Sequence, residues 1–205
     1  MTRVKICGVT TADDALACVD AGADAIGVNF VPGSPRRVDE KRAREIVRAI
    51  RDRSLVVGVV AELAVAQMRA LRDTTDLECL QLHGEESAQD VQALLPHAYK
   101  AVRVGSEEDV ARAEAMPGEF VMVDARVEGS LGGTGRTFDW SLVVQLAQRR
   151  KLVLAGGLTP GNVAVAVAAV HPWCVDVASG VESAPGKKDL AKVRAFIEAA
   201  RAAGR

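Results

Sequence analysis

Eight short runs of β-branched and aliphatic residues alternate along this chain with eight Ala-, Leu- and Arg-rich segments of helical period. No other feature restricts the fold as strongly, because repeated strand–helix units imply a parallel sheet covered by helices. The runs are Val4–Cys7, Asp24–Phe30, Leu55–Val60, Glu78–His83, Tyr99–Val104, Phe120–Asp124, Leu152–Ala155 and Cys174–Val177. The helical segments that follow them are Thr11–Ala21, Asp39–Ile50, Val65–Arg72, Ser87–Leu95, Glu107–Ala115, Trp140–Arg149, Asn162–Val170 and Leu190–Ala202. Eight such units can close into a barrel that leaves no strand edge exposed. The alternative is an open doubly wound sheet, which more often has about five or six strands. The expected fold class is therefore α/β, a single (β/α)8 TIM barrel over residues 1–205. That length is at the low end for such a barrel, so its loops and helices must be lean.

Several element ends carry a local physical reason. Thr11, Asp39 and Thr159 can cap helix starts, because their side-chain oxygens accept from otherwise unpaired N–H groups. Gly22 stands where a helix should end in a left-handed residue. Pro160 suits a first helical turn, where its missing N–H costs nothing.

Composition narrows the function classes. A net charge of -1, with acids and bases interspersed, gives no electrostatic basis for binding nucleic acid or an anionic membrane. No apolar run approaches the ~18–20 residues of a membrane helix. The first residues enter a strand-like run without a leader pattern, so a cytoplasmic location is expected. Cys7, Cys18, Cys79 and Cys174 are sparse and form no CxxC pair. Free thiols are expected, with neither a disulfide framework nor a zinc site.

In a barrel of this kind alternate strand residues point inward, and chemistry sits at the C-terminal strand ends. In the first strand Val4 and Ile6 should face the helices, leaving Lys5 and Cys7 inside, with Cys7 uppermost. The same parity puts His83 above Cys79 and Gln81, Asp124 above Phe120 and Met122, and Asp176 with Ala178 on the inner face. Cys7, His83, Asp124 and Asp176 thus converge on one mouth. Singly, each has an ordinary structural explanation as a small core residue, turn former or cap; four together at one end of a barrel indicate a site.

Two glycine segments, Ala155-Gly156-Gly157-Leu158 and Ala178-Ser179-Gly180-Val181, follow the seventh and eighth strands. Loops there often bind phosphate in these barrels, through N–H groups of a backbone that can approach closely. Gly156, Gly157, Ser179 and Gly180 are candidate phosphate-binding residues, although tight turns alone would also use glycine. The loop from Arg126 to Thr137 contains Gly129, Gly132, Gly133 and Gly135 directly after Asp124. It is expected to close over a substrate, the alternative being a surface loop without that role. Arg36, in Gly33-Ser34-Pro35-Arg36-Arg37, can grip a carboxylate with two parallel hydrogen bonds; the pattern does not say which arginine of the pair points to solvent.

Taken together, these segments resemble the phosphoribosylanthranilate isomerase family of tryptophan biosynthesis. The matching residues are Val4-Lys5-Ile6-Cys7-Gly8, Gly22-Ala23-Asp24-Ala25-Ile26-Gly27, Ser34-Pro35-Arg36 and Gln81-Leu82-His83-Gly84. They continue through Gly132-Gly133-Thr134-Gly135 with Phe138-Asp139-Trp140, then Leu154-Ala155-Gly156-Gly157-Leu158. The last is Asp176-Val177-Ala178-Ser179-Gly180-Val181-Glu182 with Pro185-Gly186. They span almost the whole chain in a fixed order. The resemblance implies an Amadori rearrangement of N-(5-phosphoribosyl)anthranilate to 1-(2-carboxyphenylamino)-1-deoxyribulose 5-phosphate. It implies Asp124 as general acid, Cys7 as general base and Arg36 on the anthranilate carboxylate. His83 and Asp176 line the pocket, and Gly133 with the two glycine loops holds phosphate. A dry pocket would raise an acid's pKa, and nearby positive charge would lower that of a thiol base. The chemistry needs no metal or cofactor, and the expected partner is a small phosphorylated substrate, with the chain a monomer or homodimer. Ala178 departs from the family, where a small hydroxyl residue is common, and Val28-Asn29 is unusual at the second strand's end. A related sugar-phosphate isomerase of histidine biosynthesis, or a dual enzyme, is the nearest alternative; those relatives carry aspartate where this chain has Cys7. A barrel that only binds a phosphorylated ligand would not require Cys7 and Asp124 together.

Overall fold

The computed structural model describes residues 1–125 and 139–204. Eight parallel strands close in sequence order: β1 (Arg3–Cys7), β2 (Ala25–Asn29), β3 (Leu55–Val60), β4 (Cys79–Leu82), β5 (Ala98–Val104), β6 (Phe120–Ala125), β7 (Lys151–Leu154) and β8 (Cys174–Val177). β8 returns to β1 with Lys5 beside Asp176 and Ile6 beside Val177, so the doubly wound alternative is excluded. The helices are α1 (Ala12–Asp20), α2 (Glu40–Ile50), α3 (Val65–Thr75), α4 (Ala88–Leu94), α5 (Glu107–Glu114), α6 (Val144–Arg149), α7 (Val163–Val170) and α8 (Leu190–Ala203). The loop expected to form a lid, and Gly133 within it, lie outside the described residues.

Strand parity divides the apolar residues into two layers. Val4, Ile6, Ile26, Val28, Leu80 and Leu82 face outward and pack with helix residues such as Ile46, Met68 and Phe196, all in one buried cluster. Inside, Val57, Tyr99, Ala101, Met122, Val153 and Cys174 fill the lower barrel, while Cys7, Val59 and Ala61 form a separate cluster with Val31. Between them lies a polar layer in which Lys5 donates to both Gln81 and Asp176. A buried ammonium is tolerable only where charge and acceptors replace water, and this layer supplies both.

Thr11 and Asp39 cap α1 and α2 by accepting from the N–H groups of Asp14 and Arg42. Gly22 has φ of 103°, the left-handed exit expected after α1. Thr159 does not cap α7 with its side chain. The helix begins at Val163, Pro160 lies in the preceding turn, and the Thr159 carbonyl accepts from the Val163 N–H. Asn162 instead ties the turn together, accepting from the Thr159 N–H and donating to the Gly157 carbonyl.

One element was not expected. After β8 comes a short 3-10 turn, then an antiparallel hairpin of β9 (Glu182–Ala184) and β10 (Lys187–Lys188). Gly186 turns it at φ of 78°, and Thr10 Oγ1 donates to the Gly186 carbonyl, pinning the hairpin to the loop after β1. This brings Glu182 against Arg36 and Lys188 against the Cys7 carbonyl.

Candidate active site

A cavity of about 410 Å³ opens at the C-terminal strand ends and is lined by Cys7, Arg36, His83, Asp124 and Asp176 together with Gln81. The side chains derived from strand parity therefore share one pocket, and Arg36 joins them from the loop after β2. Gly156, Gly157, Ser179 and Gly180 are not among its lining residues. They form a separate ledge: Gly156 and Gly157 have φ of 91° and 65°, and a Cβ on Gly180 would overlap the Leu158 carbonyl oxygen. Only glycine permits that approach of the two loops.

Cys7 ends β1 and is buried. Its thiol packs over Gly27 of the neighbouring strand, where a Cβ would come within 2.6 Å of Sγ. Burial pushes the Cys7 thiol up, and Asp176 adds to this, while Lys5 and Lys188 pull the other way. Positive charge is near the thiol as expected, yet burial outweighs it, so the expected net lowering does not occur in the resting site.

Below the thiol runs a continuous polar chain. Lys5 Nζ donates to Asp176 Oδ1 and to Gln81 Oε1, each at 2.8 Å. Tyr99 Oη donates to the same Gln81 oxygen at 3.0 Å. Gln81 Nε2 lies 2.9 Å from His83 Nδ1, and His83 Nε2 lies 3.6 Å from Asp124 Oδ2. Burial alone would lower Lys5, but Asp176, Cys7 and Tyr99 outweigh it and keep the ammonium charged. The segment carrying His83 is clamped separately: Lys100 Nζ donates to the carbonyls of Leu82 and Gly84 on either side of it.

Of the two arginines, Arg36 is half-buried and Arg37 exposed. Arg36 Nε and Nη2 donate to the two carboxylate oxygens of Glu182 at 2.8 and 2.7 Å. One edge of the guanidinium is thus already occupied, and the end-on Nη1–Nη2 edge is the one left to pair with a carboxylate. Sequence reasoning missed Glu182 and Lys188 as parts of the site, although Glu182 lies within a matching motif. Lys188 is wholly buried; it donates to Glu182 and to the carbonyls of Cys7 and Ala178, linking Arg36 to the strand end that bears the thiol.

Burial alone would push the Glu182 carboxyl up; hydrogen bonds and charge from Arg36 and Lys188 outweigh it and hold it below the usual carboxylate range. A carboxylate lowered on folding adds stability above its unfolded pKa and loses it as pH falls through the folded one. Glu182→Gln should therefore destabilise the protein by about 3 kcal/mol near neutral pH, because it strands the buried Lys188 ammonium beside a half-buried guanidinium. In urea unfolding measured across a pH series, the gap between variant and wild type should close as pH falls below the carboxylate range. A gap independent of pH would remove the ionised pair as its cause.

Among the described residues no group of three or more His, Cys, Asp or Glu side chains is arranged to hold a metal ion, and no helix is long and apolar enough to cross a membrane. The described cysteines are all free thiols.

The family model for N-(5′-phosphoribosyl)anthranilate (PRA) isomerase matches residues 4–199. The chain belongs to the N-(5′-phosphoribosyl)anthranilate isomerase family. It is 48% identical to the N-(5′-phosphoribosyl)anthranilate isomerase of Pseudomonas paraeruginosa strain PA7, over 99% of this chain and 97% of the relative. The crystal structure of phosphoribosylanthranilate isomerase from Thermotoga maritima superposes with a TM-score of 0.91 at 39% identity, covering 98% of this chain and all of that one (100%). Another phosphoribosylanthranilate isomerase, in complex with reduced 1-(o-carboxyphenylamino)-1-deoxyribulose 5-phosphate, superposes with a TM-score of 0.88 at 37% identity, with 98% and 100% coverage. Family membership thus rests on nearly the full length of the barrel, including every strand that contributes to the mouth.

Proposed function

We propose that this isomerase converts N-(5-phosphoribosyl)anthranilate to 1-(2-carboxyphenylamino)-1-deoxyribulose 5-phosphate, with Asp124 as general acid and Cys7 as general base. The observation that carries the assignment is the shared cavity in which both side chains meet Arg36. The protonated Asp124 carboxyl delivers its proton to the ribose ring oxygen; the C1′–O bond breaks and a Schiff base with the anthranilate nitrogen forms. The Cys7 thiolate then removes the C2′ proton, and the electron pair moves into the C1′–C2′ bond to give an enolamine. Tautomerisation yields the ketone. All steps are proton transfers and bond shifts within one substrate, so no external oxidant or reductant enters the balance.

Arg36 binds the anthranilate carboxylate through its end-on edge, with Glu182 holding the guanidinium in place. The ledge of Gly156, Gly157, Ser179 and Gly180 receives the phosphate through backbone N–H groups. Gly133 belongs to the same proposed phosphate site. Asp176, fixed by Lys5, lines the pocket near the thiol. The barrel mouth has room for one such substrate. The histidine-pathway alternative is not favoured, since the matched relatives are named N-(5′-phosphoribosyl)anthranilate isomerase. The direct test follows the fluorescence of enzymically generated phosphoribosylanthranilate in the presence of purified protein. Decay well above the spontaneous background is expected; decay at background would overturn the assignment.

A further inference from the structure

The polar chain under the cavity has a direction, and it fixes a proton position that no distance alone reveals. Gln81 Oε1 faces two groups, the Lys5 ammonium at 2.8 Å and the Tyr99 hydroxyl at 3.0 Å. An ammonium has no acceptor site, so the side-chain amide of Gln81 must turn its oxygen toward Lys5. Its Nε2 then points at His83 Nδ1, 2.9 Å away, and can only donate. A nitrogen that accepts carries no proton, and the neutral imidazole must hold its N–H on Nε2, the atom facing Asp124 Oδ2 at 3.6 Å.

We infer that Lys5, Gln81 and Tyr99 are positioning residues that lock His83 in the Nε2–H tautomer, so that the ring turns an N–H, and not a lone pair, toward the Asp124 carboxyl 3.6 Å away. An N–H dipole facing the carboxyl favours the carboxylate that remains once the acid has delivered its proton. The Lys100 clamp on the Leu82 and Gly84 carbonyls fixes the backbone on which the ring is mounted. This inference deepens the proposed acid role of Asp124 and rests on it.

The test uses the intact protein with 15N-labelled histidine. The free enzyme's His83 should show a protonated-type Nε2 resonance and an acceptor-type Nδ1 resonance. Gln81→Glu replaces the donating amide with a carboxylate oxygen, which calls for a proton on Nδ1. The His83 proton should move accordingly, and kcat should fall roughly 10- to 100-fold with KM little changed, since removing one charge-oriented donor has effects of this order. Wild-type His83 carrying its proton on Nδ1 would overturn the inference whether or not the variant folds. So would a folded variant whose tautomer is unmoved, or one whose tautomer flips with kcat intact. The NMR readout needs no turnover, so wild-type protein with the expected tautomer but without isomerase activity would instead strike the reading of Asp124 as the acid.

Discussion

Asp124→Asn should lower kcat by about 10²- to 10⁴-fold, the usual range for loss of a positioned general acid. The substitution keeps size and shape, but the amide has no proton to deliver to the ring oxygen. Ring opening is then left to water. Binding should survive, because Arg36 and the glycine ledge are proposed to hold the two charged ends of the substrate and neither involves Asp124. Affinity for reduced 1-(o-carboxyphenylamino)-1-deoxyribulose 5-phosphate, measured by titration calorimetry, should change by less than about tenfold. Loss of affinity in step with kcat would mean that Asp124 binds rather than protonates. Full activity would remove it from the mechanism.

Cys7→Ser is expected to have an effect of the same order, about 10²- to 10⁴-fold on kcat, for a different reason. The hydroxyl fits the space over Gly27 more easily than the thiol it replaces. It cannot be ionised to a useful degree in a site whose burial already pushes the Cys7 thiol up. The charges of Lys5 and Lys188, which favour the thiolate, have no comparably acidic group to act on. Ring opening by Asp124 remains possible in this variant, so the block falls at removal of the C2′ proton. With substrate deuterated at C2′, the slow residual turnover of Cys7→Ser should show a primary isotope effect. Absence of that effect, with kcat still depressed, would place Cys7 outside the proton abstraction step.

Much of this protein is legible in its sequence because the deciding interactions are local or periodic. Leu55–Val60 and Cys174–Val177 occupy the strand positions their composition indicates, and the period of two then sends Cys7, Asp124 and Asp176 inward without knowledge of any long-range contact. Thr11 and Asp39 cap their helices because a cap reaches only three residues along the chain. The fold class follows from the same arithmetic: eight amphipathic units leave a closed barrel as the arrangement that buries every strand. What tertiary structure alone decided depends on partners far apart in sequence. Arg36 meets Glu182 across 146 positions, and Lys188 reaches the Cys7 carbonyl across 181. No periodic pattern encodes such a pairing, and a hairpin with strands of three and two residues is too short to carry one. The sequence by itself therefore determined which side chains share the barrel mouth. Closure of the barrel decided which guanidinium edge of Arg36 Glu182 occupies, that burial raises the thiol, and where the proton of His83 resides, because each is set by charges and acceptors brought together only in the closed barrel.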